Sequence, residues 1–184
     1  TDHVELLQLH GGWWDDQTVE QLLKSDALEW ADEMRARGSA RFLGITAEGP
    51  SGGLERLLHT KRFDVLQIAY NVIYQSACDY QREPRGVIPL AKNLGMGVTT
   101  MRGPTSGVLQ KILRSEFPEI DLKRVTKLAI NFVLSTPLVD CAIVGMKKPR
   151  EVLDNISLAE DVNSRIDLRK IHDRFDGTPL EGNS

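Results

Sequence analysis

The sequence is poor in the features that announce a function outright. Two cysteines, Cys78 and Cys141, occur in 184 residues, too few for a disulfide framework and too far apart for a cysteine metal site. His3, His10, His59 and His172 lack ligand spacing, so no metal centre is expected. No run approaches the ~20 apolar residues needed to cross a bilayer. No secretory signal is visible at the start, where Thr1-Asp2-His3 leads into Val4-Glu5-Leu6-Leu7, so none is expected. A reducing, cytoplasmic setting without a membrane partner is therefore expected. A formal charge of −3 and a pI near 5.8 give no electrostatic reason to expect nucleic acid. Neither a Gly-x-Ser-x-Gly elbow nor a Walker loop occurs, which removes support for hydrolase and nucleotide-triphosphatase readings. No Gly-x-Gly-x-x-Gly follows the first strand-like segment, which weakens an open dinucleotide-binding sheet.

What remains is an ordinary globular composition, 41% hydrophobic and 27% charged, with length for one sizeable core. One domain is expected over residues 1–184, with a tail from about residue 160. The chain starts on Thr1 and enters an apolar segment almost at once, as expected of a sequence cut from a longer one. Strand-like segments fall at Val4 to His10, Arg41 to Thr46, Phe63 to Tyr70, Gly97 to Met101 and Cys141 to Val144. Helical spacing fills the gaps. One helix from about Thr18 to Arg37 is capped by Thr18 with Gln21, and Gly38 stops it. A short helix starts near Ser51; others cover Val87–Leu94, Leu122–Leu134 and Pro149 to about Ile156. Asn71 to Pro84 reads as polar and irregular, and an amphipathic stretch near Ile166–Phe175 lies in the tail. Strict β/α alternation requires parallel pairing with right-handed crossovers and implies strands buried on both faces. Two architectures satisfy it: a doubly wound open sheet, or part of an eight-stranded β/α barrel.

Candidate chemistry gathers at strand ends. His10 closes the first strand, where a neutral imidazole would polarise a carbonyl oxygen or simply bond a neighbouring backbone group. Trp13 and Trp14 either wall an apolar pocket or cover the rim. Thr46 and Gln67 end the next two strands and suit recognition of an amide-bearing ring, or they satisfy adjacent loops. Arg102-Gly103-Pro104-Thr105-Ser106-Gly107 has parts for a pyrophosphate, and also for a tight turn. Gly145-Met146-Lys147-Lys148-Pro149 leads into a helix, where free N–H groups and the dipole favour phosphate.

Taken in order, these motifs resemble the later part of the aldo-keto reductases. Leu6-Leu7-Gln8-Leu9-His10 is similar to the segment holding that family's active-site histidine. Gly38 to Thr46 resembles its Gly-Lys-x-Arg-x-hydrophobic-Gly-hydrophobic-Ser-Asn, with Thr46 for the serine and Ala47 for the asparagine. Gln67, in Leu66-Gln67-Ile68-Ala69-Tyr70-Asn71, matches the glutamine beside the nicotinamide. Met101 stands where many members stack an aromatic. Arg102 and Ser106 lie on the loop that follows the pyrophosphate. Gly145, Lys147, Lys148 and Asn155 match the segment around the adenosine and its 2′-phosphate, where Asp154 replaces a glutamate and Glu151 an arginine.

The resemblance implies a partial (β/α)8 barrel, about strands 4 to 8 with their helices on a parallel sheet. It implies hydride transfer from NADP(H) or NAD(H) to an aldehyde or ketone, with His10 orienting the carbonyl. The family's proton-donating tyrosine, with its lysine and aspartate, belongs to the first three β/α units, to which nothing here corresponds. Tyr70, Tyr74 and Tyr80 match other positions. Alone, this chain is expected to be inactive and to associate with itself or with a missing N-terminal half. The alternative is a catalytically inactive nucleotide-binding regulatory or truncated protein.

Overall fold

The computed structural model describes residues 2–79 and 85–175, Phe175 by its backbone alone. Expectations for Tyr80, for Pro84 and for the end of the tail lie outside them. Five parallel strands form one sheet: β1 (Val4–Leu9), β2 (Ala40–Ala47), β3 (Val65–Ala69), β4 (Gly97–Met101) and β5 (Cys141–Ala142). Their spatial order is β1-β2-β3-β4-β5, the order of the chain. A doubly wound sheet reverses its order at a switch point. This one never does, so the structure selects successive units of a β/α barrel.

The helices are α1 (Asp16–Lys24), α2 (Ala27–Ala36), α3 (Gly52–His59), α4 (Val87–Asn93), α5 (Val108–Glu116), α6 (Leu122–Leu134), α7 (Pro149–Glu160) and α8 (Leu168–Phe175). The segment expected as one helix is two. Asp15, not Thr18, caps α1, its carboxylate accepting from the Thr18 N–H at 2.7 Å. Ser25 takes an extended backbone; its hydroxyl donates to the Leu22 carbonyl at 2.8 Å and accepts from Ala27 N–H at 3.3 Å. One serine thus ends α1 and starts α2. Ser51 does cap α3, accepting from Leu54 N–H at 3.1 Å. Helix α5 had no counterpart among the expected elements. It shares one crossover with α6, so the alternation is looser than one helix per strand.

Burial separates the two faces of the sheet. Leu43, Ile45, Leu66, Ile68, Tyr70 and Val98 are almost wholly buried, as are Leu54, Leu57 and Leu58 of α3 and Val87, Ile88 and Ala91 of α4. Each large aliphatic enclosed in this way contributes roughly 1.5–3 kcal/mol. Tyr70 faces this helical layer and lies 5.7 Å from the Phe132 ring of α6. The opposite, inner face is less enclosed than the sequence implied: Gln67 and Thr99 are half-buried, and Phe42 is 42% exposed.

At the amino end of the sheet one device appears twice. The Leu43 N–H donates to the Asp64 carboxylate at 2.8 Å, while Asp64 N–H returns a bond to the Leu43 carbonyl at 2.7 Å. Val98 and Asp140 repeat this at 2.7 and 2.9 Å. Arg35 steadies Asp64 at 3.1 Å, and Lys92 steadies Asp140 at 2.8 Å. These clamps fix the entry of β3 and β5 beside the preceding strand. They thereby set the level at which each strand delivers its last residues to the carboxyl end.

Candidate functional site

The register places a row of side chains at one height across the inner face. Gln8 pairs with Gly44 and Leu9 with Ile45, so His10, just past β1, stands beside Thr46. Thr46 pairs with Gln67, Gln67 with Thr99, and Thr99 with Cys141. Side chains two residues apart on a strand share a face, so Met101 stands one step further toward the carboxyl end than Thr99. The Gln67 amide donates to the Met101 sulfur at 3.6 Å. The structure thus brings together His10, Thr46, Gln67 and Met101.

Two further members were missed. Thr99 completes the row, and its Oγ1 is buried without a hydrogen-bond partner among the described residues. Its signal was available: it alternates with Met101 along a strand ending at the same face. Glu48 is the other, described below; its only sequence signal was its place one residue beyond β2.

His10 is exposed at the rim, and its Nδ1 lies 3.1 Å from Thr46 Oγ1. Thr46 is buried; its hydroxyl accepts from Gly11 N–H at 2.9 Å and lies 3.0 Å from the Gly11 carbonyl. That hydroxyl has one proton to give. Donated to Gly11, it leaves His10 Nδ1 as donor and Nε2 bare. Donated to His10 Nδ1, it leaves the ring proton on Nε2.

Trp14 is rim packing, buried with its indole N–H donating to the Thr46 carbonyl at 2.8 Å. Its ring lies so close to Gly11 that a Cβ there would meet it at 2.1 Å. Trp13 is 67% exposed and rests on Gly49, where a Cβ would meet the ring at 2.8 Å. A cleft of about 410 Å³ lined by His10, Gly12, Trp13, Trp14 and Gln21 opens beside the histidine. A larger apolar cleft of about 690 Å³, lined by Leu109, Leu113, Phe132 and Ile171 among others, shares no residue with the row.

Beyond β4 the backbone takes unusual turns. Arg102, Thr105 and Ser106 have φ of 61°, 56° and 52°, a region that costs non-glycine residues energy and concentrates at functional loops. Asn71 holds the turn, its amide donating to the Arg102 carbonyl at 3.0 Å. The Arg102 guanidinium donates to Glu48 at 2.5 Å and to the Ser106 hydroxyl at 3.4 Å. The Glu48 carboxylate holds that guanidinium's pKa above its ordinary value.

After β5, residues 145–150 are all exposed. The N–H groups of Lys147 and Lys148 donate to the Glu151 carboxylate at 2.6 and 3.2 Å. Those two bonds, Lys147's the stronger influence, hold the Glu151 carboxyl below its usual range. Asp154 pairs with Lys123 at 2.8 Å, fastening α7 to α6, and Asn155 is half-buried on the same helix.

Tyr70 is not available as an acid for this row. It faces the helical layer and accepts from Thr136 at 3.1 Å, and burial pushes its phenol up to about 12. Tyr74 is 54% exposed. Among the described residues, no group of three His, Cys, Asp or Glu side chains is placed to hold a metal ion. No helix among them is long and apolar enough to cross a membrane.

As a test of fit to a nicotinamide nucleotide, the two ends of the site differ. The row suits an amide-bearing ring, because Thr99 Oγ1 is buried beside the Gln67 amide with no partner among the described residues. The Arg102 guanidinium and the Lys147 and Lys148 N–H groups, which would meet phosphates, are already engaged by Glu48 and Glu151.

No family model and no curated protein matches this sequence. Solved structures do. An aldo-keto reductase of Bacillus halodurans in its holo form matches over 95% of this chain and 59% of its own, with TM-score 0.63 and 19% identity. A protein of Pseudomonas aeruginosa described as an aldo-keto reductase matches over 86% and 52%, with TM-score 0.61 and 21% identity. A thermostable aldo-keto reductase solved with the inhibitor epalrestat matches over 95% and 60%, with TM-score 0.63 and 16% identity. The chain therefore has the fold of the aldo-keto reductases, resembles them as the motifs implied, and spans 52 to 60% of the length of these three.

Proposed function

We propose that this chain is the cofactor-facing part of an aldo-keto reductase, an oxidoreductase of the cytoplasm that reduces aldehydes or ketones to alcohols. The observation that carries the reading is the level row His10, Thr46, Gln67 and Thr99 at the carboxyl end of a sheet with that fold. Ligands of β/α barrels bind at this end. The nicotinamide, when bound, supplies the hydride. Gln67 and Thr99 would hold its carboxamide, Met101 would pack on the ring, and Arg102 and Ser106 would face the pyrophosphate. Lys147, Lys148 and Asn155, with the backbone at Gly145, would meet the adenosine end. The cofactor would be NAD(H) or NADP(H); the hold of Glu151 on the Lys147 and Lys148 N–H groups supports NAD(H).

His10 orients the substrate when the Thr46 hydroxyl donates to Nδ1, since the ring proton is then on Nε2 and points a donor at the carbonyl oxygen. The cleft beside Trp13 would receive the rest of a small carbonyl compound. Proton delivery falls, by the resemblance, to a tyrosine on units with no counterpart in this sequence. The inner face and the edge strand β1 would be covered by those units or by a second copy.

A second reading is a nucleotide-binding regulatory protein without chemistry, or a truncated one. The observation favouring it is that Glu48 and Glu151 already hold the Arg102 guanidinium and the Lys147 and Lys148 N–H groups. Titrating the protein with NADH and NADPH while following tryptophan fluorescence tests both. Saturable binding with carbonyl reduction supports the reductase. Binding without turnover, even with a covering partner, supports regulation. Absence of binding rejects the reductase and the nucleotide-binding regulator and leaves the truncated protein.

A further inference from the structure

We propose that Glu48 gates the anion-receiving loop Arg102–Gly107, so that a diphosphate group is admitted only as Glu48 gives up Arg102. The inference rests on the reading of that loop as the place where a dinucleotide's pyrophosphate lies. Glu48 directly follows β2 and Arg102 directly follows β4, and β3 lies between these strands. Neighbouring strands stand ~4.8 Å apart, so the two backbones are about 10 Å apart and the side chains meet across the carboxyl end of β3. The pair closes at 2.5 Å, between side chains 30% and 44% exposed. It is therefore reachable from solvent and open to exchange with a mobile anion.

Three features make this more than a surface ion pair. The loop bearing Arg102 holds three non-glycine residues at positive φ, so the guanidinium is aimed by a strained backbone that Asn71 supports. Arg102 reaches the Ser106 hydroxyl as well as Glu48, so a second donor stands ready for an anion that replaces the carboxylate. Glu48 is also tied to the site beside it. Its N–H donates to the Gly12 carbonyl at 2.9 Å, and the next residue, Gly49, carries the exposed Trp13 ring. Release of Arg102 would let this segment shift beneath Trp13, linking the phosphate end to the cleft beside His10.

The test uses inorganic pyrophosphate as probe, with Trp13 fluorescence and calorimetry as readouts. An exposed pair of this kind competes weakly, so Glu48→Gln should tighten pyrophosphate binding about two- to fivefold. Glu48→Asp, which keeps the charge on a shorter arm, should fall between the two. In an Arg102→Gln background the Glu48 substitution should no longer matter, because the two residues act as one unit. Trp13→Phe should abolish the fluorescence change.

Unchanged or weaker binding in Glu48→Gln overturns the proposal, as does absence of pyrophosphate binding in every form. A gain that persists without Arg102 overturns it too, since it would report only the loss of a nearby negative charge. If pyrophosphate follows the expected pattern while NADH fails to bind, the nucleotide reading falls and the gate stands. If NADH binds and Glu48→Gln leaves pyrophosphate unchanged, the reverse holds.

Discussion

Thr46 Oγ1 stands 3.1 Å from His10 Nδ1 and also holds the Gly11 N–H at 2.9 Å. A single buried hydroxyl therefore fixes the backbone after β1 and sets the ring beside it. Thr46→Val keeps the shape and removes the bonds, leaving the Gly11 N–H without its acceptor, at a cost of about 1–3 kcal/mol. Thr46→Ser should lose much less. Urea denaturation of the three forms measures the difference, and a valine variant as stable as the parent would deny Thr46 this role.

In a catalytically competent assembly, His10→Ala should lower turnover ~10²- to 10⁴-fold and leave the dissociation constant for NADH within about twofold. Stopped-flow binding beside steady-state rates separates the two effects. Equal loss of both would remove His10 from the orienting role.

On the proposed reading, Glu151 competes with a 2′-phosphate for the Lys147 and Lys148 N–H groups. With its charge removed in Glu151→Gln, the Lys147 and Lys148 N–H groups become easier to win, and affinity for 2′-AMP should rise about fivefold relative to 5′-AMP. An unchanged ratio by calorimetry would show that the carboxylate does not contest this position.

Asp140 predicts a pH dependence. Burial raises its carboxyl, but the Lys92 ammonium and the Val98 N–H outweigh that and hold it below the ordinary value. Its folded pKa is thus lower than its unfolded one, so its contribution is present above the unfolded value of ~3.9 and is lost as pH falls through the folded value. The stability gap between parent and Asp140→Asn should be level above about pH 5 and close below about pH 4. A gap that persists unchanged into acid would contradict this.

Neighbouring glycines should answer oppositely to alanine. A Cβ on Gly53 would meet the Trp14 carbonyl oxygen at 2.3 Å, a backbone atom that cannot swing aside. Gly53→Ala should therefore cost about 1–3 kcal/mol. At Gly52, the first residue of α3, a Cβ meets nothing within 4 Å, and Gly52→Ala should gain about 0.4–1 kcal/mol. Thermal melts of the pair decide it.

Local signals were the legible ones. Leu122–Leu134 and Gly97 to Met101 appear at their expected bounds, because each depends on its own periodicity and on adjacent stops. The break at Ser25 was hidden by apolar spacing that runs through it, and only the hydroxyl's two bonds reveal it. Helix α5 was legible too, since Val108, Leu109, Ile112 and Leu113 recur at helical spacing although none is fully buried. The choice between open sheet and barrel was illegible to periodicity, since strand order is a property of long-range pairing. The resemblance supplied it, and the topology bears it out. The hold of Glu48 on Arg102 spans 54 positions, and nothing local at either residue marks it.

The unbroken strand order also bears on how the molecule comes to exist. Every strand pairs with the one made just before it, so no segment must wait for a distant partner. A chain emerging from a ribosome can lay down β2 on β1, close the clamp at Asp64, and proceed to β3 with each layer already in place. Such assembly keeps loop closures short and hides each new edge soon after it forms. Among the described residues β5 is the edge opposite β1, and at two residues it is too brief a template for a stray strand.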